Sequence, residues 1–272
     1  MSPIMQTSGS LRPPQFLIIG AQKCGSSWLF FQLNQSPKVS MNPLKETHFF
    51  IKYEDPSDEQ FEDYLRSFEG PPDAMLGEAT PSYLVSPPTD ATEKYLPYLG
   101  QFFFTPAKSV KKRLGPDVKL IVTVKDPVDR AASAFFHHVN QGRIEPGKTL
   151  TDLGNFGGIL YLGFYGQHLS YWLEHFPIEN FFFTSLTEIK EEPASVMERI
   201  GEFLEIPSYQ APPTLQHGKY TNPMKKVKAE EGIVIEGMEN SPRITNDELT
   251  FLRELYAADS ARFNELVGRE LL

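Results

Sequence analysis

Short, largely apolar segments recur along the chain, separated by stretches in which apolar and polar residues alternate at helical spacing. The clearest are residues 16–19 (FLII), 75–80 (MLGEAT), 120–124 (LIVTV) and 181–184 (FFFT), with a weaker one at 38–41. Continuous apolar runs of this length are typical of strands buried in a parallel sheet. The alternation predicts an α/β fold, a P-loop-like doubly wound parallel sheet flanked by helices, with ligands at the carboxyl ends of the strands.

Helices are predicted where apolar residues lie three or four apart or where a helix-start signal occurs. They cover 27–35, 61–68, a stretch after Pro127, 164–176, 188–204 and one or two helices from Thr245, whose capping-box partner is Glu248. Segments without this pattern are 86–106, which is rich in proline, 141–163, which is rich in glycine, and the polar residues 207–223. A loop as long as 141–163 is more typical of a functional or mobile segment than of structural filler.

The length of 272 residues suits a single α/β domain, which we place at 15–272 after a flexible polar arm at 1–14. A formal net charge of −9 argues against nucleic acid as a partner. The single cysteine, Cys24, excludes an intrachain disulfide and favours a reducing compartment. The first residues lack a signal-peptide pattern, and no apolar run reaches about 18 residues. We therefore expect a cytoplasmic protein without a transmembrane segment, in an oligomeric state that the sequence leaves open.

The first apolar run breaks into a glycine-flanked loop, GAQKCG at 20–25. A strand, such a loop and a following helix form an anion site, because loop amides and the helix N-terminus point at the ligand. In a nucleoside-triphosphate P-loop the lysine directly follows the second glycine. Here Ser26 takes that place and Lys23 precedes Gly25. The loop suits a phosphate, but it matches poorly a site for the β- and γ-phosphates of ATP.

A second cationic segment follows the strand predicted at 120–124. Lys125 stands at the strand end, and Ser133 lies eight residues further, about two turns into the predicted helix. Together they suit one more phosphate. The alternative is that Asp126 is a metal-binding carboxylate of the Walker B type and Lys125 a surface charge. That reading fits less well, since the loop at 20–25 lacks the Walker A lysine.

With both segments, the chain resembles the sulfotransferases that use 3′-phosphoadenosine 5′-phosphosulfate. Their 5′-phosphosulfate motif appears as QKCGSSWL at 22–29, and their 3′-phosphate motif as KDPVDRAAS at 125–133, with Lys125 in place of the usual arginine. The resemblance implies that the donor contacts Gln22, Lys23, Cys24, Gly25, Ser26, Ser27, Trp28, Lys125 and Ser133. A lysine keeps the charge of arginine but lacks its bidentate fork.

Further motifs are similar to those of the heparan-sulfate-type carbohydrate sulfotransferases. They stand at 45–50 (KETHFF), 77–83 (GEATPSY), 163–177 (GFYGQHLSYWLEHFP) and, loosely, 218–223 (GKYTNP). In that branch the last of these loops covers the nucleotide. The resemblance therefore adds Gly218, Lys219 and Tyr220 to the donor site, and it extends from about residue 15 to the C-terminus.

The resemblance also implies catalytic roles. Sulfuryl transfer is expected to be an in-line displacement in which Glu46 removes the acceptor proton and Lys23 neutralises the leaving phosphate oxygen. A metal is not expected, because a sulfuryl group bears less charge than a phosphoryl group and no ligand cluster is evident. His48 is either an accessory acid–base or substrate-orienting group or a buried polar residue. Lys45, Glu78 and Tyr83 are assigned to the substrate side.

Purely structural roles remain open for several of these residues. Glu46 also suits a surface ion pair with Lys45, and Glu78 suits a positioning role better than base catalysis. Arg130 suits a structural role at the helix–strand junction as well as it suits a contact with the ligand. His137 and His138 are expected to be solvated or part of the core. The structural reading of Cys24 is a small packing residue in a tight loop.

The acceptor is less well defined than the donor. Ala79 and Ile51 replace a lysine and an aspartate that occur in glucosaminyl enzymes, which weakens the case for a sulfated polysaccharide. We expect a hydroxyl, or less readily an amino, group on a carbohydrate, a glycolipid or a small metabolite. Two other hypotheses stay open: an ATP-dependent P-loop kinase or other nucleotide phosphotransferase, and a catalytically silent nucleotide-binding or scaffold protein.

Overall fold

A computed structural model describes residues 11–95, 105–145, 148–153, 156–206, 226–229, 232–235 and 242–272. Its main sheet has five parallel strands in the order β2-β3-β1-β4-β5. These are β1 (Phe16–Gly20), β2 (Val39–Met41), β3 (Met75–Ala79), β4 (Lys119–Val124) and β5 (Phe181–Ser185). All five predicted strands are confirmed. Because these strands are parallel, the loops that follow them open at the same edge of the sheet, and the order places the loops after β3, β1 and β4 side by side.

Ten α-helices occur in the part of the chain that the structure describes. They are α1 (Ser26–Leu33), α2 (Phe49–Lys52), α3 (Asp58–Arg66), α4 (Pro106–Leu114), α5 (Pro127–Asn140), α6 (Leu150–Leu153), α7 (Tyr165–Leu173), α8 (Leu186–Glu191), α9 (Pro193–Phe203) and α10 (Asn246–Val267). The helix predicted at 188–204 is two helices, because Pro193 has no N–H with which to continue α8 and instead begins α9. None of the described helices is both long and apolar enough to cross a bilayer.

Each face of the main sheet contributes side chains to a different apolar cluster, and alternate residues of one strand belong to the two clusters. In β1, Leu17 and Ile19 belong to the apolar cluster on one face, whereas Phe16 and Ile18 belong to the cluster on the other. Alternate side chains of a strand point to opposite faces, so this division requires helices on both sides. The α/β class and the doubly wound arrangement expected from the sequence are thus confirmed.

A small antiparallel sheet was not predicted. It consists of β6 (Lys226–Ala229), β7 (Gly232–Ile235) and β8 (Ile244–Thr245) in the order β6-β7-β8. Strands of two to four residues give too short a pattern to be told from a loop. The α10 helix begins directly after β8, and the predicted capping box of Thr245 and Glu248 is present at its start.

The segment predicted to be a long functional or mobile loop, 141–163, is partly packed into the core. Ile159, Leu160 and Tyr161 are at most 2% exposed, and Tyr256 of α10 donates a hydrogen bond to the carbonyl of Leu160 (2.7 Å). Because this segment is rich in glycine, its apolar residues do not recur at helical or strand spacing, and the sequence did not indicate which of them are buried.

The predicted flexible arm is anchored in its described part. Arg12 donates hydrogen bonds to the carbonyls of Pro71 (2.8 Å), Pro72 (2.7 Å) and Ala74 (3.1 Å). These bonds tie Arg12 to the turn before β3. Residues 1–10 lie outside the described part.

The carboxylate of Glu188 fastens the end of the chain to the sheet. It accepts hydrogen bonds from Arg269 (2.6 Å), Thr184 (2.9 Å) and the Ser185 amide (3.0 Å), and Arg269 also donates to the Phe183 carbonyl (2.7 Å). Partial burial by itself would raise the pKa of Glu188, but these bonds outweigh it and lower the pKa from 4.5 to about 2. Because the folded-state pKa is depressed, the stabilisation is complete above about pH 4.5 and is lost as the pH falls toward 2.

We therefore expect Glu188→Gln to lower the free energy of unfolding at neutral pH by about 1 kcal/mol, since the group is partly solvated. Urea unfolding at neutral pH and at several acidic pH values measures this. The gap between variant and wild type should narrow between pH 4.5 and about 2. Glu191→Gln, at an exposed position of the same helix, is the control. A gap that stays constant across this pH range would contradict the assignment.

Candidate functional site

The 20–25 loop, which joins β1 to α1, is held against β4. The amide of Ala21 donates to the Thr123 carbonyl (2.6 Å), and the hydroxyl of Thr123 donates to the Cys24 carbonyl (2.9 Å). Gly25 is the N-cap of α1 in the left-handed region (φ 104°), and no side chain caps the helix there. The first amides of α1 therefore lack the usual side-chain acceptor, which suits an anion.

Lys23 lies in this loop with a left-handed backbone (φ 67°) and a partly buried side chain. Burial is the main cause that lowers its pKa; the charges of Lys45 and Arg130 lower it further, and the charge of Glu46 raises it. The charges of Lys45 and Glu46 therefore act on Lys23 in the 20–25 loop, as they would in a shared site.

Cys24 is fully buried, with its thiol 3.5 Å from the hydroxyl of Tyr165. Burial raises the pKa of the thiol. A buried thiol of raised pKa is a packing group, which agrees with the structural reading of this residue. The side chain of Cys24 therefore has no surface with which to touch a donor. Trp28 is half-buried and packs against the apolar cluster that contains Leu29 and Ile189.

The second predicted anion site is assembled at the end of β4. The ammonium group of Lys125 donates to the hydroxyl of Ser133 (2.7 Å), so the two residues meet as their spacing predicts. The charge of Lys125 opposes the burial that raises the pKa of Cys24, and Thr123, two residues before Lys125, is bonded to the 20–25 loop. The carboxylate of Asp126 accepts from the Asp129 amide (2.9 Å) as the N-cap of α5. That helix-capping contact favours a structural role for Asp126 over the metal-ligand alternative.

Glu46 lies between a lysine and a histidine at the rim of the site. Its Oε1 is 2.5 Å from the Lys45 ammonium, and its Oε2 is 3.7 Å from Nε2 of His48. The side chain is 35% exposed and that of His48 46%, so both are open to a ligand, and the buried reading of His48 is wrong. Ser82 lies 3.4 Å from the other ring nitrogen of His48.

The backbone around Glu46 is held in an uncommon conformation. Lys45 (φ 59°) and His48 (φ 53°) both lie in the left-handed region, which residues with a side chain seldom adopt. Such conformations persist only where the surroundings impose them, and they concentrate at functional sites. The ion pair of Lys45 and Glu46 foreseen as a bland alternative is present, but it engages only one oxygen of the carboxylate.

Beneath this rim, Glu78 is fully buried and accepts from three hydroxyl groups. The donors are Thr47 (2.8 Å), Tyr64 (2.8 Å) and Thr80 (2.9 Å). Burial raises the pKa of Glu78, and these hydrogen bonds offset part of the rise. Tyr83 is also fully buried, 3.1 Å from the Thr47 hydroxyl. Neither residue has surface with which to touch a substrate, so the structure revises their substrate-side assignment: they fix Thr47, between Glu46 and His48.

His137 lies closer to the predicted site residues than the sequence analysis suggested. In α5 it shares a face with Arg130 and Ser133 at positions i, i+3 and i+7, and Ser133 and His137 are the partly exposed residues between Arg130 and His138. Burial lowers the pKa of His137; the charges of Lys23 and Arg143 act in the same direction and that of Glu46 opposes them. The helical spacing from Ser133 is the signal that identifies it.

The remaining predicted residues divide into three groups. His138 is 8% exposed and packs edge-on against Phe156, with ring centroids 5.1 Å apart, as expected of a core residue. Gly218, Lys219 and Tyr220 lie outside the described residues. Ala79 and Ile51 are 0% and 4% exposed, so neither side chain itself is open to an acceptor.

Known proteins resemble the chain in sequence and in fold. The family model described as "Sulfotransferase domain" matches residues 13–248. Human heparan sulfate glucosamine 3-O-sulfotransferase 3B1 is 30% identical over 213 residues, which cover 75% of this chain and 49% of that protein. The bifunctional heparan sulfate N-deacetylase/N-sulfotransferase 1 of Caenorhabditis elegans is 26% identical over 212 residues, 72% of this chain and 22% of that protein. The chain thus spans about half the length, or less, of these curated relatives.

A solved structure shares the fold over nearly the whole length. A sulfotransferase from Alicyclobacillus acidocaldarius superposes with a TM-score of 0.67 at 24% sequence identity, covering 96% of this chain and 98% of that one. At this identity the likeness establishes the arrangement of strands and helices, and the chemistry must be argued from the residues described above.

Proposed function

Because the chain belongs to the sulfotransferase domain family, we propose that it transfers a sulfuryl group from 3′-phosphoadenosine 5′-phosphosulfate to a hydroxyl, or an amino, group of an acceptor. The observation that carries this proposal is the pair of neighbouring anion sites at the ends of β1 and β4. One is Lys23 with the uncapped start of α1, and the other is Lys125 with Ser133. The proposed donor carries two separate anionic groups, a 5′-phosphosulfate and a 3′-phosphate, and matches this pair.

Glu46 is the proposed general base. Its partly exposed carboxylate accepts the proton of the acceptor hydroxyl as the acceptor oxygen forms a bond to sulfur. The bond between sulfur and the bridging phosphate oxygen breaks in line, and adenosine 3′,5′-bisphosphate leaves. Lys23 places a positive charge beside that leaving oxygen. No step needs a redox partner, and the proton ends on Glu46.

The acceptor that suits the rim is polar and hydroxylated. Lys45, His48 and Ser82 surround Glu46 with groups that donate and accept hydrogen bonds. Such a rim fits a carbohydrate, a glycolipid or another small metabolite with several hydroxyl groups. The relatives whose names specify heparan sulfate support a sugar acceptor in particular. A cytoplasmic location stays a prediction, and neither the ATP-dependent nor the silent alternative gains a favouring observation.

Nucleotide selectivity tests this proposal. We expect the protein to bind adenosine 3′,5′-bisphosphate at least about tenfold more tightly than adenosine 5′-monophosphate, because a charge-assisted contact to the 3′-phosphate is worth roughly 1.5–3 kcal/mol. Lys125→Ala should abolish most of that preference, as isothermal titration calorimetry will measure. Lys119→Ala, at the opposite end of β4 and paired with Glu205, is the control and should bind like the wild type.

Transfer itself is measured with radiolabelled sulfate donor and a panel of hydroxylated acceptors, in which sugars are expected to be labelled first. Tighter binding of magnesium–ATP than of the bisphosphate would contradict the donor assignment. Donor binding without transfer to any acceptor would favour the silent binding protein.

A further inference from the structure

Arg130 is a fully buried arginine directly below the proposed donor site. Its guanidinium donates to the side-chain oxygen of Gln22 (3.5 Å) and to the carbonyls of Gly158 (3.3 Å) and Ile159. Its charge also acts on the hydroxyl of Tyr256 in α10, where it opposes the burial that raises the pKa of that group. Two separate parts of the chain, the 20–25 loop and the 156–163 segment, therefore meet at this one side chain.

The charge of Arg130 is not matched by a carboxylate among the described residues. All of its described partners are neutral oxygens, no ion pair is formed with a described Asp or Glu, and its buried Nε has no hydrogen-bond partner. A buried charge without a counter-charge is costly and raises the question of what compensates it. By contrast, Arg113, whose Nε is also buried without a partner, pairs with Asp58 at 2.7 Å.

The position of this charge answers that question. Arg130 precedes Ser133 by one helical turn on the same face of α5, and it contacts the residue next to Lys23. It thus lies between the two proposed anion sites. The charge of Arg130 acts on two residues of the 20–25 loop. It contributes to lowering the pKa of Lys23, and it opposes the burial that raises the pKa of Cys24.

We propose that Arg130 is a positioning residue for the donor, a buried cation that orients Gln22 in the 20–25 loop and whose charge is balanced when the phosphates of the donor bind. The inference rests on the proposed function, since it requires an anionic nucleotide at the site. It assigns Arg130 a role beyond joining a helix to a strand. In the free protein the buried positive charge of Arg130 is destabilising, and binding of the anionic donor removes that destabilisation.

Three variants separate the charge from the scaffold. Arg130→Met keeps much of the volume without the charge, Arg130→Lys keeps the charge without the fork, and Arg113→Met is the matched control. We expect Arg130→Met to weaken binding of adenosine 3′,5′-bisphosphate roughly tenfold or more and to reduce the rise in Tm that this nucleotide causes. Arg130→Lys should recover most of the affinity. Arg113→Met should lower Tm but leave the Kd unchanged. Calorimetry gives the Kd, and thermal unfolding gives the Tm with and without nucleotide.

A fourth variant decides the matter if Arg130→Met does not fold. Gln22→Glu places a carboxylate beside the intact guanidinium, at the atom that Arg130 already contacts. If the charge of Arg130 is unbalanced in the free protein, the new carboxylate should raise the Tm of that form. Because the same carboxylate repels the phosphates, nucleotide binding should weaken roughly tenfold. A lower Tm of free Gln22→Glu would overturn the proposal.

The other outcomes are also distinct. If Arg130→Met lowers the Tm of free and nucleotide-bound protein equally and leaves the Kd unchanged, Arg130 is a scaffold residue and the inference fails, while the proposed function stands. If the wild type does not bind the bisphosphate, the proposed function itself fails and the inference fails with it.

Discussion

Glu46→Gln is expected to lower kcat for sulfuryl transfer by about 10²–10⁴-fold, the usual contribution of a general base. Glutamine has nearly the same shape but cannot accept the acceptor proton. Because Glu46 is assigned to the acceptor and not to the nucleotide, the Kd for adenosine 3′,5′-bisphosphate should change by no more than about threefold. Steady-state kinetics with radiolabelled donor and calorimetry with the product nucleotide measure the two quantities separately.

The control for this variant is Glu62→Gln, which removes an exposed carboxylate of α3 that pairs with Arg66 (2.9 Å). Its kcat should equal that of the wild type. Retention of more than about a tenth of wild-type kcat by Glu46→Gln would show that another group removes the proton. His48 and His137 are then the residues to replace next, since both lie near Glu46.

Replacing Lys23 is expected to affect both catalysis and donor binding. Lys23→Ala removes the charge beside the leaving phosphate oxygen, and loss of one such stabilising group lowers kcat by about 10²–10³-fold. The Kd for the bisphosphate should also rise, because the same ammonium group faces the 5′-phosphate before and after transfer. Lys38→Ala, an exposed lysine paired with Asp73, serves as the control and should leave both values unchanged.

The pH dependence gives an independent check on Lys23. Burial lowers its pKa below 10.5, so the protonated, active form is lost earlier on the alkaline side than it would be for a free lysine. The rate should therefore decline at a pH below 10.5 in the wild type. In Lys23→Arg this decline should be absent, because a guanidinium does not titrate there. If both proteins lost activity at the same alkaline pH, the titrating group would be a residue other than Lys23.

The features that the sequence predicted are those encoded within a few neighbouring residues. Residues 120–124 form a continuous apolar run of the length typical of a strand, and all five are fully buried in β4. The 20–25 loop combines glycines, a lysine and serines over a short distance, so its site could be proposed before its contacts were known. Lys125 and Ser133 are only eight residues apart, one just before α5 and the other inside it, so their meeting could be predicted from neighbouring residues.

The features that could not be predicted depend on residues far apart in the chain. Glu78 was assigned to the substrate because its motif lies at a strand end, but Tyr64 and Thr47, which are 14 and 31 positions away, cover its carboxylate. The contacts of Arg130 with Gln22 and Gly158 span 108 and 28 positions. No local pattern records such partners, because they are set by how the layers pack.

The attachment of the C-terminal helix has a practical consequence for where the protein can be shortened. The family match stops at residue 248, within the first turn of α10. Beyond that point Tyr256 and Phe263 are at most 1% exposed, and Arg269 is bonded to Glu188 and Phe183. A truncation at residue 248 would remove the buried side chains of Tyr256 and Phe263 from the core and break the contacts of Arg269 with Glu188 and Phe183. Fragments made for crystallisation or display should therefore retain the sequence through Arg269.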